Sequence, residues 1–288
     1  MSAVKYDWPW FREEMQRCCG LLEPECRPLL DLVHECDEIV GKMVGRPLSY
    51  ASDRSRDFVV SVLAVRAFRL AISSLQVALS GYVDSTSNLD RTVFEIGIRL
   101  LDISTAPEAA SLGYLMQGAT EEISVMEVEL AHRTRNGTET VNLPANLNRE
   151  REHLEDLRKL CIEKGIDPEL ALKKHGKLNV RETCRKFGIE KAYLVDYALD
   201  SSHVHEKNVA TSHFHSESTA SHEFELGPIP VAVPHAVADT LRNLSLVLEI
   251  GCQILEDQEL IRRTADLRRA VQERISKLGM ADRPGGTA

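Results

Sequence analysis

The stretch "FVVSVLAVRAFRLAISSLQVALSGYV", residues 58 to 83, is the most apolar part of the chain and limits the fold more than any other. Its apolar residues cover most of a helix circumference, as expected of a helix enclosed by other helices. Arg66 and Arg69 interrupt it before it could cross a bilayer. A serine or aspartate in the preceding "SDRSRD" stands where an N-cap is needed. The stretch is read as the central helix of a bundle.

Its neighbours repeat the helical period. In "LDRTVFEIGIRLLDIS", Leu89, Val93, Ile96 and Leu100 recur at three- and four-residue steps. "TAPEAASLGYLMQGATEEISVMEVELAHRTRNG" continues as a long helix that stops at Asn136-Gly137. "NREREHLEDLRKLCIEKG" is a charged helix with a solvated outer face. At the N-terminus, "DWPWFREEMQRCCGLLEPECRPLLDLVHECDEIVGKM" predicts two short helices broken between Gly20 and Pro28, with Pro9 in a first turn. "NVRETCRKFGIEKAYLVDYALDSSHVH" gives a short helix, a turn at Gly188 and a second helix, and 212–234 reads as a loop with a brief extended piece at "PVAV". Residues 235–278 then read as one long closing helix.

A chain of 288 residues can form one large domain or two small ones, and 5% aromatics with only 16 glycines favour helix over strand. The expected fold is all-α, a single helical bundle with a long central apolar helix and a long C-terminal closing helix. Residues 1–50 form an N-terminal helical pair and 51–278 the main bundle, with 138–190 readable as a peripheral insert and 279–288 as a disordered tail.

A net charge of −9 argues against a protein that coats nucleic acid non-specifically, though Arg149 to Lys191 is mildly basic, with twelve Lys/Arg against nine Asp/Glu. The opening "MSAVKYDWPWFREEM" lacks the features of a secretory signal. The cysteines at 18, 19, 26, 36, 161, 184 and 252 include no Cys-x-x-Cys pair, so neither a zinc finger nor a disulfide framework is expected. A reduced, cytoplasmic protein is the expectation.

Two stretches put polar residues where a bundle interior is expected. Arg91, Glu95 and Arg99 share one helix face at four-residue steps, and in "YLVDYALDSSHVH" Tyr193, Tyr197, Ser201 and His205 follow the same step. One reading is a polar seam whose members satisfy one another within the core. The other joins the stripes into one site. Arg91, held by Glu95, would grip a phosphate or carboxylate, and His205 would move a proton near neutral pH. Tyr197 and Ser201 would position the substrate. One residue of helix phase decides whether Ser201 or Ser202 faces that site.

"RTVFE" and "YALDSSHVH", in this order about a hundred residues apart, resemble a large family of uncharacterised bacterial helical proteins that carry an R-x-x-x-E helix and then a Y-x-x-x-S-x-x-x-H helix. The resemblance runs from Phe58 to the closing helix and implies Arg91, Glu95, Tyr197, Ser201 and His205 as the polar positions. More remotely the bundle resembles the higher-eukaryote-and-prokaryote nucleotide-binding (HEPN) superfamily, whose active members are often metal-independent ribonucleases in toxin and phage-defence systems. Those enzymes use an Arg and a His with four to six residues between them on one helix, and only "RPLLDLVH", Arg27 to His34, has that spacing here.

Metal binding is the rival suggested by His203, His205, His213, His215 and His222, with Glu206, Glu217 and Glu223 nearby. Against it, His203 and His205 point roughly 200° apart if their helix continues. A DNA-reading helix-turn-helix in "VRETCRKFGIEKAYLVDYAL" fits the spacing of Val180, Cys184, Gly188, Ile189 and Leu194, with Arg181, Arg185, Lys186 and Lys191 basic, but its second helix offers Leu194, Val195 and two tyrosines where polar residues should face the bases. The expectation is metal-independent RNA or phosphodiester cleavage at the polar site. The alternatives are a non-catalytic anion- or nucleotide-binding or structural module, and then a histidine metal site. RNA or a nucleotide is the expected partner, with no membrane, no metal, no cofactor and a homodimer.

Overall fold

The computed structural model describes residues 9–45, 55–192 and 232–277. Every regular element among them is helical, as the hydrophobic periods require. In chain order these are α1 (Pro9–Leu30), α2 (Val33–Val44), α3 (Ser55–Leu79), α4 (Thr86–Thr105), α5 (Pro107–Arg135), α6 (Leu143–Glu163), α7 (Pro168–Ala171), α8 (Val180–Lys186), α9 (Glu190–Ala192), α10 (Val233–Ile254) and α11 (Gln258–Lys277). A 3₁₀ turn, Val83–Ser85, joins α3 to α4. A π-helical turn over Leu172–Gly176 follows α7.

At the centre α3, α4 and α10 pack on one another. Ala64, Ala67, Ala71 and Ala78 are all fully buried on α3, and so small a ridge lets its neighbours approach closely. Val93, Ile96 and Leu100 of α4 meet Val237, Leu241, Leu244 and Leu248 of α10 in the same core. Each such side chain stabilises the fold by about 1.5–3 kcal/mol. Contrary to the expectation from Arg66 and Arg69, these two charges leave α3 with the length and apolarity of a membrane span, and half of that apolar window is buried in the protein.

Two helix boundaries depart from expectation. The N-terminal pair does not break between Gly20 and Pro28: α1 runs through Pro24 and Pro28 to Leu30, and the break falls before α2 at Val33. Both prolines lie on the exposed face, where the carbonyls they leave unbonded meet water, while Leu22, Cys26 and Leu29 bury the opposite face at helical spacing. That burial offsets an intrinsic proline cost of roughly 3 kcal/mol. The closing segment is two helices rather than one. Glu256 adopts a left-handed φ of 57°, and the Asp257 carboxylate caps α11 by accepting from the amides of Glu259 and Leu260, each at 3.0 Å. A single helix would carry Leu260, Leu267, Val271 and Ile275 away from the protein; folding back buries all four. Arg263 then donates to Glu35 and Glu38 of α2, both at 2.7 Å.

Outside this core, α5 lies against α3 and α4 with its first half, where Ala110 to Ala119 supply its buried residues, and then pairs with α6. Leu112, Met116, Leu157, Cys161 and Ala171 form a small separate cluster there. α5 ends at Asn136 and Gly137, whose φ of 64° suits glycine.

Candidate functional site

Three polar groupings lie along α4, the first and last fixed by neighbouring elements and the middle one within the helix itself. Nearest its start, Asp90 sits on the buried stripe with Val93, Gly97 and Leu100. Ser74 of α3 and Thr240 of α10 both donate to Asp90 Oδ1 at 2.8 Å, so the three central helices meet at one carboxylate. The two hydroxyls are 3.1 Å apart. Burial pushes the Asp90 carboxyl up to about 7, and Asp239 adds to the rise, while the bonds from Thr240 and Ser74 oppose it.

One residue further on, Arg91 Nε donates to Glu95 Oε1 at 3.1 Å, the within-helix pair its spacing predicts. The side chains are 23% and 35% exposed, so the guanidinium is held by protein yet reaches solvent. Arg99 is the third member of the expected face, but it turns away into a buried cluster. Its Nη1 and Nη2 donate to the carbonyls of His175 at 2.5 Å and Gly176 at 3.0 Å, in the π-helical turn. Asp102 Oδ2 lies 3.8 Å from Arg99 Nη1 and accepts from His175 Nδ1 at 3.1 Å. The Tyr114 ring lies beneath the guanidinium at 5.2 Å. Desolvation lowers the Arg99 pKa, with Asp102 opposing it, and this arginine serves architecture rather than a ligand.

Arg91 and Glu95 are thus together, whereas Tyr193, Tyr197, Ser201 and His205 lie outside the described residues, as do His203, His213, His215 and His222. Among the described residues no group of three or more His, Cys, Asp or Glu is arranged to hold a metal. Arg27 and His34 stand on different helices, strongly exposed, each engaged with acids of its own surface: Arg27 with Glu23 and Asp31, His34 with Glu38. The proposed helix-turn-helix has its first helix in α8, whose Cys184 is buried against Phe94 and Ile98. Burial raises the thiols of Cys26 to about 11, Cys36 to about 12 and Cys184 to about 11, so none is a ready nucleophile.

The buried groups Ser74, Asp90, Thr240 and His175, and the half-buried Asp102, are absent from the sequence-derived site. Asp90 carried a usable signal, an acid on an apolar stripe. His175 did not, because its partner Asp102 is 73 residues away in sequence.

Comparison with known proteins finds a match over residues 57–222 to the model of a family of unknown function. No curated protein and no solved structure matches. The matched span begins in α3, contains both "RTVFE" and "YALDSSHVH", and ends before α10. It takes in more than half of the chain, which belongs to DUF5677, a family of unknown function.

Proposed function

We propose that Arg91, braced by Glu95, binds the phosphate of an RNA or nucleotide, and that the chain cleaves the phosphodiester without a metal. The observation that supports this is the Arg91–Glu95 pair, largely enclosed yet in reach of solvent. A guanidinium fixed in this way has already lost its side-chain freedom, so less entropy is lost when an anion binds. In this reading His205 gives or takes the proton, Arg91 stabilises charge developing on a phosphoryl oxygen, and Tyr197 and Ser201 position the substrate. The metal-free route is taken from the remote resemblance of the expected bundle to HEPN-type ribonucleases, whose Arg–His motif the Arg27–His34 pair, on two helices, does not supply. That the family span includes both the arginine and the histidine stretch supports treating them as one unit.

Titration of a labelled nucleotide into wild type, Arg91→Lys and Arg91→Ala tests the binding step. The expected result is at least tenfold weaker binding for Arg91→Ala, with Arg91→Lys between the two, since an ammonium keeps the charge but loses the planar fork. Equal affinity in all three would overturn the assignment of Arg91.

A further inference from the structure

The protein is acidic overall, yet residues 172–191 hold seven Lys/Arg against two Glu. Lys173, Lys174, Lys177, Arg181, Arg185 and Lys186 are all exposed on the π-helical turn and α8. Many exposed cations elsewhere stand beside acids, as Arg27 does with Glu23, Arg151 with Glu127 and Lys159 with Asp156. Those that do not among the described residues, such as Arg66, Arg69, Arg135 and Arg149, are spread over several helices rather than gathered in one stretch. None of the six on the turn and α8 has a carboxylate oxygen within 4.0 Å of its charged nitrogens among the described residues. Two acids lie among them, Asp102, which accepts from His175, and Glu182, whose Oε2 accepts from Asn179 Nδ2 at 3.2 Å. Both line a small cleft where three of the lysines outnumber them.

This basic layer is also held rigidly. Arg99 fastens the turn by two of its carbonyls, and a Cβ on Gly113 would come within 2.5 Å of the Ala171 oxygen, so α5 meets the end of α7, where the turn begins, backbone to backbone. Lys174, Lys177 and Lys186 border one small cleft of about 170 Å³. Lys177 also borders the adjoining cleft, of about 740 Å³, but Glu121, Glu122 and Glu150 line that cleft along with Arg66 of α3, so the basic surface ends at the turn.

We infer that this surface binds the phosphodiester backbone of a nucleic-acid strand. Spaced lysines around a small cleft, with no carboxylate oxygen within 4.0 Å among the described residues, are what a polyanion neutralises with release of its counterions. A protein partner is the poorer fit, because protein interfaces are depleted in lysine and centre on an apolar core, while these six positions are all charged and exposed. The inference rests on the preceding reading for the phosphate chemistry and extends it from one phosphate to a strand. Asp102, at the edge of the basic layer, is eleven residues beyond Arg91 on α4, about 16 Å along the axis. A strand lying on the lysines would thus reach toward Arg91 over a few nucleotides.

The test is polarisation binding of a labelled single-stranded RNA, and of DNA of the same sequence, to the full chain over a range of salt. The variant is Lys174→Glu with Lys177→Glu and Lys186→Glu; the charge-matched control is Arg27→Glu with Lys159→Glu and Arg269→Glu. Wild type should bind with a negative log–log salt slope. The lysine variant should bind at least tenfold more weakly, its slope shallower by about 2, with unchanged melting. The control should stay within threefold of wild type. No binding by wild type, equal loss in variant and control, or competition by polyglutamate as strong as by RNA would overturn the inference. Nucleotide binding lost in Arg91→Ala but strand binding unaffected by the lysine changes would remove this surface and leave the Arg91 site standing; the converse would do the reverse.

Discussion

Asp90 shows how one side chain can set the pH response of the protein. Three helices close around its carboxyl, and Ser74 and Thr240 together cannot replace the hydration it gives up, so its pKa rises to about 7. The folded state then holds its proton to a higher pH than the unfolded chain, where an aspartate titrates near ~4. This contribution favours the fold most below that range, declines as pH rises from about 4 to about 7, and is level above, by at most about 4 kcal/mol in all. Asp90→Asn accepts the same two hydroxyls without ionising. Urea denaturation at a series of pH values should show a flatter profile for the variant, and greater stability than wild type at pH 8. A wild-type slope retained in the variant would assign it to another group. This residue was partly legible beforehand, since an acid on the Val93–Gly97–Leu100 stripe is out of place in a core. Its partners were not, for Ser74 and Thr240 are separated by 166 residues and only folding brings them together.

Among the elements, the π-helical turn is the one whose placement depends on a few side chains. Arg99→Ala would leave the buried carbonyls of His175 and Gly176 without their donor and Asp102 with one partner fewer. The expected loss is about 3 kcal/mol, read as a lower denaturation midpoint together with faster amide exchange across 168–186. Gly113→Ala acts from the other side, driving a methyl into the Ala171 carbonyl, and should cost about 1–3 kcal/mol. Unchanged exchange in both variants would mean that the turn is held by its apolar contacts alone. The helices themselves were readable from periodicity, as with α4, α5 and α6. The misread boundaries share a cause. Local signals at Gly20, Pro24 and Pro28 point to a break that Leu22, Cys26 and Leu29 override by burial, while the bend at Glu256 follows from which face of α11 needs a partner. Arg91–Glu95 was legible because both ends of the pair lie on one helix. Arg99 was not, because its partners arrive from a turn 76 residues away.

For the whole molecule, the family span and the folding unit differ. The span stops at residue 222, yet α10 supplies Val237, Leu241, Leu244 and Leu248 to the core shared with α3 and α4. A fragment of residues 57–222 leaves that groove open, and circular dichroism should report helix without a cooperative thermal transition. A sharp transition in the fragment would show that α10 and α11 are dispensable. The intact chain is expected to cleave RNA. Full-length wild type and His205→Ala should be incubated with total RNA and a metal chelator, with the melting temperature of each recorded alongside. Cleavage by wild type that is lost in a variant of unchanged stability is the predicted result. Intact RNA with both proteins, accompanied by a variant that melts several degrees lower, would contradict it and make His205 part of a structural seam.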